Sequence, residues 1–572
     1  MSARLLNNVR NALSKEFSKQ ELLEIVSTIY PLHRIQGSSD LERAVDIVAE
    51  YLKKLGIEYR IWEYSYSKSY GLMRPVAGWD PVFGEAKLVK PREELLSSFL
   101  QSKTAIVAHS PSGDVEAEVV YVASVEHLDR VDVSEKIVLT SSSPRSIYFK
   151  AVKKGAKAFL FFRRNAPSDA VPYIGLFLKP NEIGEATAPA MSIPRRCAHR
   201  ILSYLEKGSK VVARVRVEAR FRGNARIRVL EAWIGKGSEE IHGVAHICHP
   251  GGTVNDNVSG CATLLEIALA LKRCIDRGAL DEPKEGKMVF VWLPEYSGTV
   301  PYLNDVISGG RKVVFSIDLD MVGEKQVVTG STLILIRSPS MLRSPAEGIL
   351  YSALLNELRG AKTFGDVSPL LEYRFDISPY LRGSDHDVYL KFGIPAVMIN
   401  QWPDRFYHTD MDTVDKLDPE VCKRVGVAVG STMYTLASLG TNRAFKEFKP
   451  VIEGYDSVVK GLKALSGITS ELSLSGLPKT KYVCRAMGLP GRRYFEEVLS
   501  EDELKKVDRI VEEGGLYANL LFGFIPIALS LKPMTVEELA KLIVEEYGSV
   551  DLDKLQEVIS ILEKARVIER VE

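Results

Sequence analysis

Cysteine is scarce and unpatterned. Six residues (Cys197, Cys248, Cys261, Cys274, Cys422, Cys484) are scattered over 572 with no paired spacing, so a reduced compartment fits better than a disulfide framework. An excess of one charge is also missing: Lys plus Arg number 75 against 74 Asp plus Glu. That balance argues against an acidic polymer, nucleic acid or a charged membrane surface as partner. No apolar run reaches the roughly 20 residues of a spanning helix. The nearest, Leu516 to Leu531, is interrupted by Asn519, Gly523 and Pro526 and reads as a buried helical hairpin. The first residues, MSARLLNNVRNALSKEF, lack the apolar centre of a signal peptide. The expectation is a cytoplasmic protein with no membrane association. What remains is ordinary globular composition, 45% hydrophobic and 26% charged, in a chain long enough for about three or four domains.

The most informative stretch is HICHPGGTVNDNVSGCATLLE, from His246 to Glu266. An apolar, strand-like run, Ile241 to Ile247, ends in imidazoles at His246 and His249. A Gly-Gly turn follows, then Asp256 between two asparagines, then Gly260 and a helix-like run, Cys261 to Leu271. A strand that delivers histidine, and a helix reached through an aspartate, set nitrogen and carboxylate groups at one sheet edge. That edge is where open α/β sheets bind ligands, and imidazole plus carboxylate is a ligand set zinc favours.

Two further apolar runs of strand length end in acidic groups: Lys287 to Leu293 before Pro294-Glu295-Tyr296, and Val313 to Leu319 before Asp320-Met321-Val322-Gly323. Later come GSDHDVYLKFGIPAVMI (Gly383 to Ile399) and FYHTDMDTVDKLD (Phe406 to Asp418), the second holding His408. Acidic or imidazole groups thus recur just after buried-type strands, as in a site assembled on a mostly parallel sheet. Singly, each has a plainer account: Asp256 as a helix N-cap, Glu295 or Asp320 as a turn residue, Asp385-His386 as a loop pair. Those accounts give no reason for the order in which they occur.

In that order the motifs resemble the co-catalytic zinc aminopeptidases of the aminopeptidase S and aminopeptidase Y type, which also include the glutaminyl cyclases. The resemblance rests on His246, Asp256 in NDNVSG, Glu295, Asp320 in DMVG, Ser384-Asp385-His386, and His408-Thr409 with Asp412-Thr413. The segment HRIQGSSDLERAVDIVAEYLKKLGIEYR, His33 to Arg60, is similar to the start of these enzymes. About half the chain is covered. The implied fold is α/β: a mixed, mostly parallel sheet flanked by helices. The implied ligands to zinc are His246 or His249, Asp256, Asp320 and His408, with Asp385 and His386 around them or touching substrate. The implied activity is removal of N-terminal residues from peptides by a metal-activated water, with Glu295 as general base. A related acyl-transfer or cyclising enzyme, or a degenerate fold that only binds peptides, is the alternative. In the family the peptide bond after this Asp is often cis.

Two departures bear on the metal. Cys248 stands where the family has an Asp that orients the bound imidazole, and His249 follows it. His246 keeps the family register, while His249 lies nearer the turn and could take its place. Tyr296 stands where the family has a ligand Glu, which leaves a second ion one ligand short. One or two zinc ions per chain are therefore expected.

Residues 1–75 and 226–440 form the expected peptidase core. Within 76–225 the strand, helix and strand around Lys136-Ile137-Val138 and Gly155-Ala156-Lys157-Ala158 resemble an inserted protease-associated domain, expected to act as a lid or as a structural spacer. Residues 441–572 read as helical, with a Gly/Leu/Ser-rich join at Leu472 to Pro478 and no assignable motif between 441 and 530. The last segment, from Met534, has a Thr N-cap followed by a Glu pair, two runs of helical periodicity (Leu539, Leu542, Ile543; Leu555, Val558, Ile559, Leu562) and a short strand. It looks like part of a winged helix. Acidic residues outnumber basic ones there, which favours homo-oligomer contact over DNA.

Overall fold

The computed structural model describes residues 2–465 and 477–571. Its centre is an eight-stranded mixed sheet. The strands are β1 (Glu58–Ser65), β2 (Arg226–Gly235), β3 (Glu239–His246), β4 (Gly286–Leu293), β5 (Lys312–Leu319), β6 (Thr332–Ile336), β7 (Phe375–Ser378) and β8 (Ala396–Trp402), ordered β1-β2-β4-β3-β5-β8-β6-β7. The four central strands β4, β3, β5 and β8 run parallel, so their C-terminal ends share one edge. Both faces are covered, and the central strands are accordingly continuous apolar runs rather than alternating ones. Every residue of β3 from Glu240 to His246 is buried. Register fixes the edge: His246 pairs with Leu293, two residues before Glu295, and Val244 pairs with Asp318. Two steps on, His246 stands level with Asp320.

One face carries helices α1 (Ser2–Glu16), α2 (Lys19–Ile29), α3 (Ser39–Lys54), α4 (Gly260–Asp276) and α5 (Pro419–Leu439). Helix α3 starts where its sequence says it should: Ser38 Oγ accepts the Leu41 N–H at 3.1 Å, Asp40 and Glu42 occupy the first turn and Lys53 and Lys54 the last. The opposite face is covered by shorter helices and by the C-terminal part of the chain.

A second sheet of seven strands lies wholly within residues 78–222 and has its own apolar core. Beyond residue 440 the long helical stretch Glu501–Leu531 turns through 113° at Gly515, whose φ of 53° suits glycine. Its second limb is buried, with Leu521, Phe524, Ile525 and Leu529 fully covered. Among the described residues no single helix is long and apolar enough to cross a membrane. The end of the chain folds as strands Lys481–Val483, Met534–Thr535 and Glu569–Val571 with helices Val536–Tyr547 and Leu552–Lys564. Thr535 and Glu538 cap the first of these reciprocally: Thr535 Oγ1 accepts the Glu538 N–H at 3.2 Å and Glu538 Oε2 accepts the Thr535 N–H at 2.7 Å. The join at Leu472 to Pro478 falls, as far as Gly476, outside the described residues.

Candidate metal centre

At the C-terminal edge of β3, β5 and β8 five side chains converge on one another. Asp256 is central. His246 Nε2 lies 3.3 Å from its Oδ1 and 3.3 Å from Asp320 Oδ1. His249 Nε2 lies 3.4 Å from Asp256 Oδ2, and His408 Nε2 2.9 Å from that same oxygen. The five therefore form two trios that share one carboxylate: His246, Asp256 and Asp320 on one side, His249, Asp256 and His408 on the other. The choice between His246 and His249 does not arise, because the two imidazoles address different oxygens of Asp256. Nor is the second trio a ligand short for want of a Glu at position 296, since His249 supplies a third donor.

The loops are shaped to do this. His249 (φ 112°), Tyr296 (54°), Met321 (63°) and His408 (52°) all adopt left-handed backbone, one in each loop that leaves β3, β4, β5 and β8. Non-glycine residues in this region cost about 1–3 kcal/mol each and persist only where the surroundings hold them. Here the surroundings are explicit. Arg34, buried, donates from Nε to Ile247 O at 3.0 Å, and its own carbonyl accepts the His249 N–H at 2.9 Å. Asp412 accepts the backbone N–H groups of Asn255 (2.9 and 3.0 Å) and Asp256 (3.2 Å). Asn257 donates to Leu319 O at 2.9 Å and accepts the Met321 N–H at 3.0 Å, fastening the Asp256 loop to the Asp320 loop. The Asp256–Asn257 peptide is cis. Cys248 places Sγ 3.6 Å from Nδ1 of both His246 and His249, so one sulfur faces the rear of both imidazoles. Burial pushes this thiol up, but the two imidazoles outweigh it and bring it down to about 5. Burial likewise raises Asp256, and His249, His246 and His408 together hold it well below the usual carboxylate range.

Glu295 follows β4. Its carboxyl oxygen lies within 4.8 Å of ligating atoms of His246, Cys248 and His249, and burial drives its pKa well above the ordinary value. Gln36 Nε2 donates to the Glu295 carbonyl at 3.0 Å. The Tyr296 hydroxyl belongs to neither trio and donates instead to Asp387 Oδ2 at 2.6 Å. Asp385 accepts the Tyr296 N–H at 2.8 Å and the Thr299 hydroxyl, bracing the Glu295–Tyr296 turn. His386 lies behind the site. Its backbone N–H donates to Asp318 Oδ2 at 3.0 Å, and its ring sits 2.9 Å from the Leu381 carbonyl. Asp387, which accepts from Tyr296 and, at 2.6 Å, from Tyr380, was missed in the sequence because its role depends on two distant tyrosines.

A cavity of about 230 Å³ opens on His249, Glu295 and His408. Its other wall comes from the 78–222 sheet region: Arg163, Tyr173, Gly175 and Phe177. Tyr173 packs its ring 5.4 Å from that of His249 and 5.1 Å from that of His408, and its N–H donates to His408 O at 2.7 Å. A larger cavity, about 650 Å³, shares Phe177 and extends past Tyr296 and Arg382 to residues 489–495 of the C-terminal region. No local pattern around Arg163 or Tyr173 points to this site.

The five groups fit a metal. His408 Nε2 and Asp320 Oδ1 are buried and make no hydrogen bond. Donors held tetrahedrally at about 2.0–2.1 Å from a common ion are about 3.3–3.4 Å apart, and three of the four separations above fall there. Two trios with one bridging carboxylate provide for two ions.

Comparisons with known proteins bear on the fold and on one stretch of the chain. Residues 229–433 match Peptidase family M28. A peptidase M28 precursor from Shewanella amazonensis superposes with a TM-score of 0.57 at 16% identity, over 77% of this chain and 98% of that one. A zinc aminopeptidase from Bacillus subtilis gives 0.52 at 17% identity, over 73% and 94%. A structure from Clostridium acetobutylicum gives 0.53 at 12% identity over the full length of both chains. At these identities the likeness is one of fold. No curated protein matches the chain. The motif order, the sheet and the sequence match coincide on one stretch of chain, residues 229–433, which is similar to peptidase family M28.

Proposed function

We propose that this chain is a zinc-dependent exopeptidase that removes N-terminal residues from peptides. The observation that carries the proposal is the pair of trios sharing Asp256, with Glu295 at their open side. Nitrogen and oxygen donors in this proportion suit zinc. An ion held there supplies Lewis acidity and lowers the pKa of water towards about 7.

The chain's own residues do the rest. Asp256, held from both flanks by Asp412 and Asn257, fixes the spacing of the two donor sets. Glu295 is no member of either trio, so its carboxylate is free to take a proton from the attacking water and hand it to the departing amine. Such positioned transfer contributes about a hundred- to ten-thousand-fold. Asp385 and Gln36 hold the Glu295 backbone, and Tyr173 closes the site over His249 and His408 so that bulk water is kept from the reacting bond.

The test uses zinc-loaded protein and a panel of aminoacyl 4-nitroanilides and dipeptides, with metal content measured alongside. Turnover that is abolished by a chelator, restored by zinc, and lost in Glu295→Gln with full metal content supports the proposal. Zinc bound tightly with no hydrolysis of any panel member would refute it and leave a peptide-binding role.

A further inference from the structure

Arg163 stands out among the residues around the cavity. It is half-buried, and it lines the same cavity as Glu295 and His408. Its guanidinium has no carboxylate partner and no hydrogen-bond acceptor among the described residues. Other half-buried arginines nearby are answered: Arg145 by Glu182 and Glu496, Arg74 by Glu497. What lies within electrostatic reach of Arg163 is Tyr173, Tyr407 and His408, all uncharged or weakly basic. A cation taken partly out of water without an anion is costly, and the fork of an arginine is shaped for a carboxylate.

The rest of the cavity pairs no anion with Arg163: the Cys248 sulfur, also in the lining, faces the imidazoles of His246 and His249. Glu295 is its one lining carboxyl group, and it is assigned to the water. With ions in both trios, the cavity would be more positive still. Its volume, about 230 Å³, is below the roughly 300–1,000 Å³ usual for extended small-molecule ligands, so it takes a single residue.

We propose that Arg163 receives a carboxylate of the substrate, and that the enzyme selects substrates with a carboxylate beside the scissile amide. This rests on the exopeptidase reading. Two sources share that chemistry: the side chain of an acidic N-terminal residue, or the free C-terminus of a dipeptide whose first residue is released.

Two matched pairs separate the sources: glutamyl against glutaminyl 4-nitroanilide, and leucyl-glycine against leucyl-glycinamide. In the zinc-loaded wild type, one pair should favour the acid in kcat/KM by about tenfold or more, the value of a charge-assisted hydrogen bond. In Arg163→Met that ratio should fall to about one, while Arg163→Lys keeps part of it. Ratios near one for both pairs in the wild type would overturn the inference. So would an Arg163→Met variant that loses acid and amide members equally, since that outcome assigns Arg163 to the transition state or to structure. Binding of the same four compounds to zinc-loaded Glu295→Gln, by calorimetry, reads the preference without turnover. Acid over amide by about tenfold there supports Arg163 even if no compound is hydrolysed, and equal binding refutes it. Absent hydrolysis with that preference intact would fault the peptidase reading alone.

Discussion

If one carboxylate serves two ions, the alanine variants of its neighbours should fall into a fixed pattern. His249 and His408 belong only to the trio on Asp256 Oδ2, His246 and Asp320 only to the trio on Oδ1, and Asp256 to both. Loss of a group behind a ligand typically costs 10- to 100-fold in metal affinity. Loss of one direct donor in three should therefore cost about 100-fold or more, roughly 2.7 kcal/mol. At free zinc near 100 times the dissociation constant an ion stabilises the fold by about 2.7 kcal/mol. After a hundredfold loss of affinity the same zinc adds only about 0.4 kcal/mol. The difference between zinc-saturated and chelator-treated protein, followed by melting and by metal analysis, should read two ions for wild type. The weakened site is then half filled, so it should read about 1.5 ions for His249→Ala and for His246→Ala, each about 2.3 kcal/mol lower, and about one for Asp256→Ala, about twice that. The chelator-treated baseline removes whatever the substitutions do to packing. A His249→Ala variant that still holds two ions would show that His249 is no substitute for the missing glutamate, and the two-trio account would fail.

Other substitutions probe the supports. Glu295→Gln should keep its ions and lose about 10² to 10⁴ in kcat, measured on the best substrate with metal content alongside. Asp387→Ala strands the Tyr296 and Tyr380 hydroxyls in the interior. About 3 kcal/mol of stability should go, and turnover with it as the Tyr296 turn loosens, while metal content stays. Glu347 is fully buried, and burial pushes its carboxyl up to about 7 from 4.5 against the pull of Arg337 and Arg343. The native state therefore holds this proton more tightly than the unfolded one. Stability from it is complete below about pH 4.5 and is lost as pH rises through about 7, a swing of about 3 kcal/mol. Glu347→Gln should melt like wild type at low pH and increasingly above it towards about pH 8. A gap between the two that does not change with pH would refute the assignment.

The central strands were legible because a strand buried on both faces must be apolar throughout, and β3, β4 and β5 begin and end within a few residues of the runs read from the sequence. Their ends marked the site because polar groups reappear where the sheet stops. The pairing of donors was not legible. That His249 meets Asp256 alongside His246 is set by a left-handed backbone at His249 and by the clamp from Arg34, some 200 residues earlier in the chain. Tyr296, read as a ligand position by its place in the motif, is drawn off by Asp387, which no spacing rule connects to it. The far wall was invisible for a plainer reason. Arg163 and Tyr173 are ordinary loop residues until the 78–222 region is set against the strand ends.

That far wall divides the labour of the molecule. The five converging groups sit at the ends of interlocked central strands, where any shift disturbs the whole sheet. The far side of the cavity is carried on the 78–222 sheet, which has its own apolar core and is fastened to the strand ends by contacts such as Tyr173 N–H to His408 O. If the chain is the exopeptidase proposed above, mutation can remodel what is admitted at little risk to the groups gathered at the sheet edge, so preference should drift faster among relatives than reactivity.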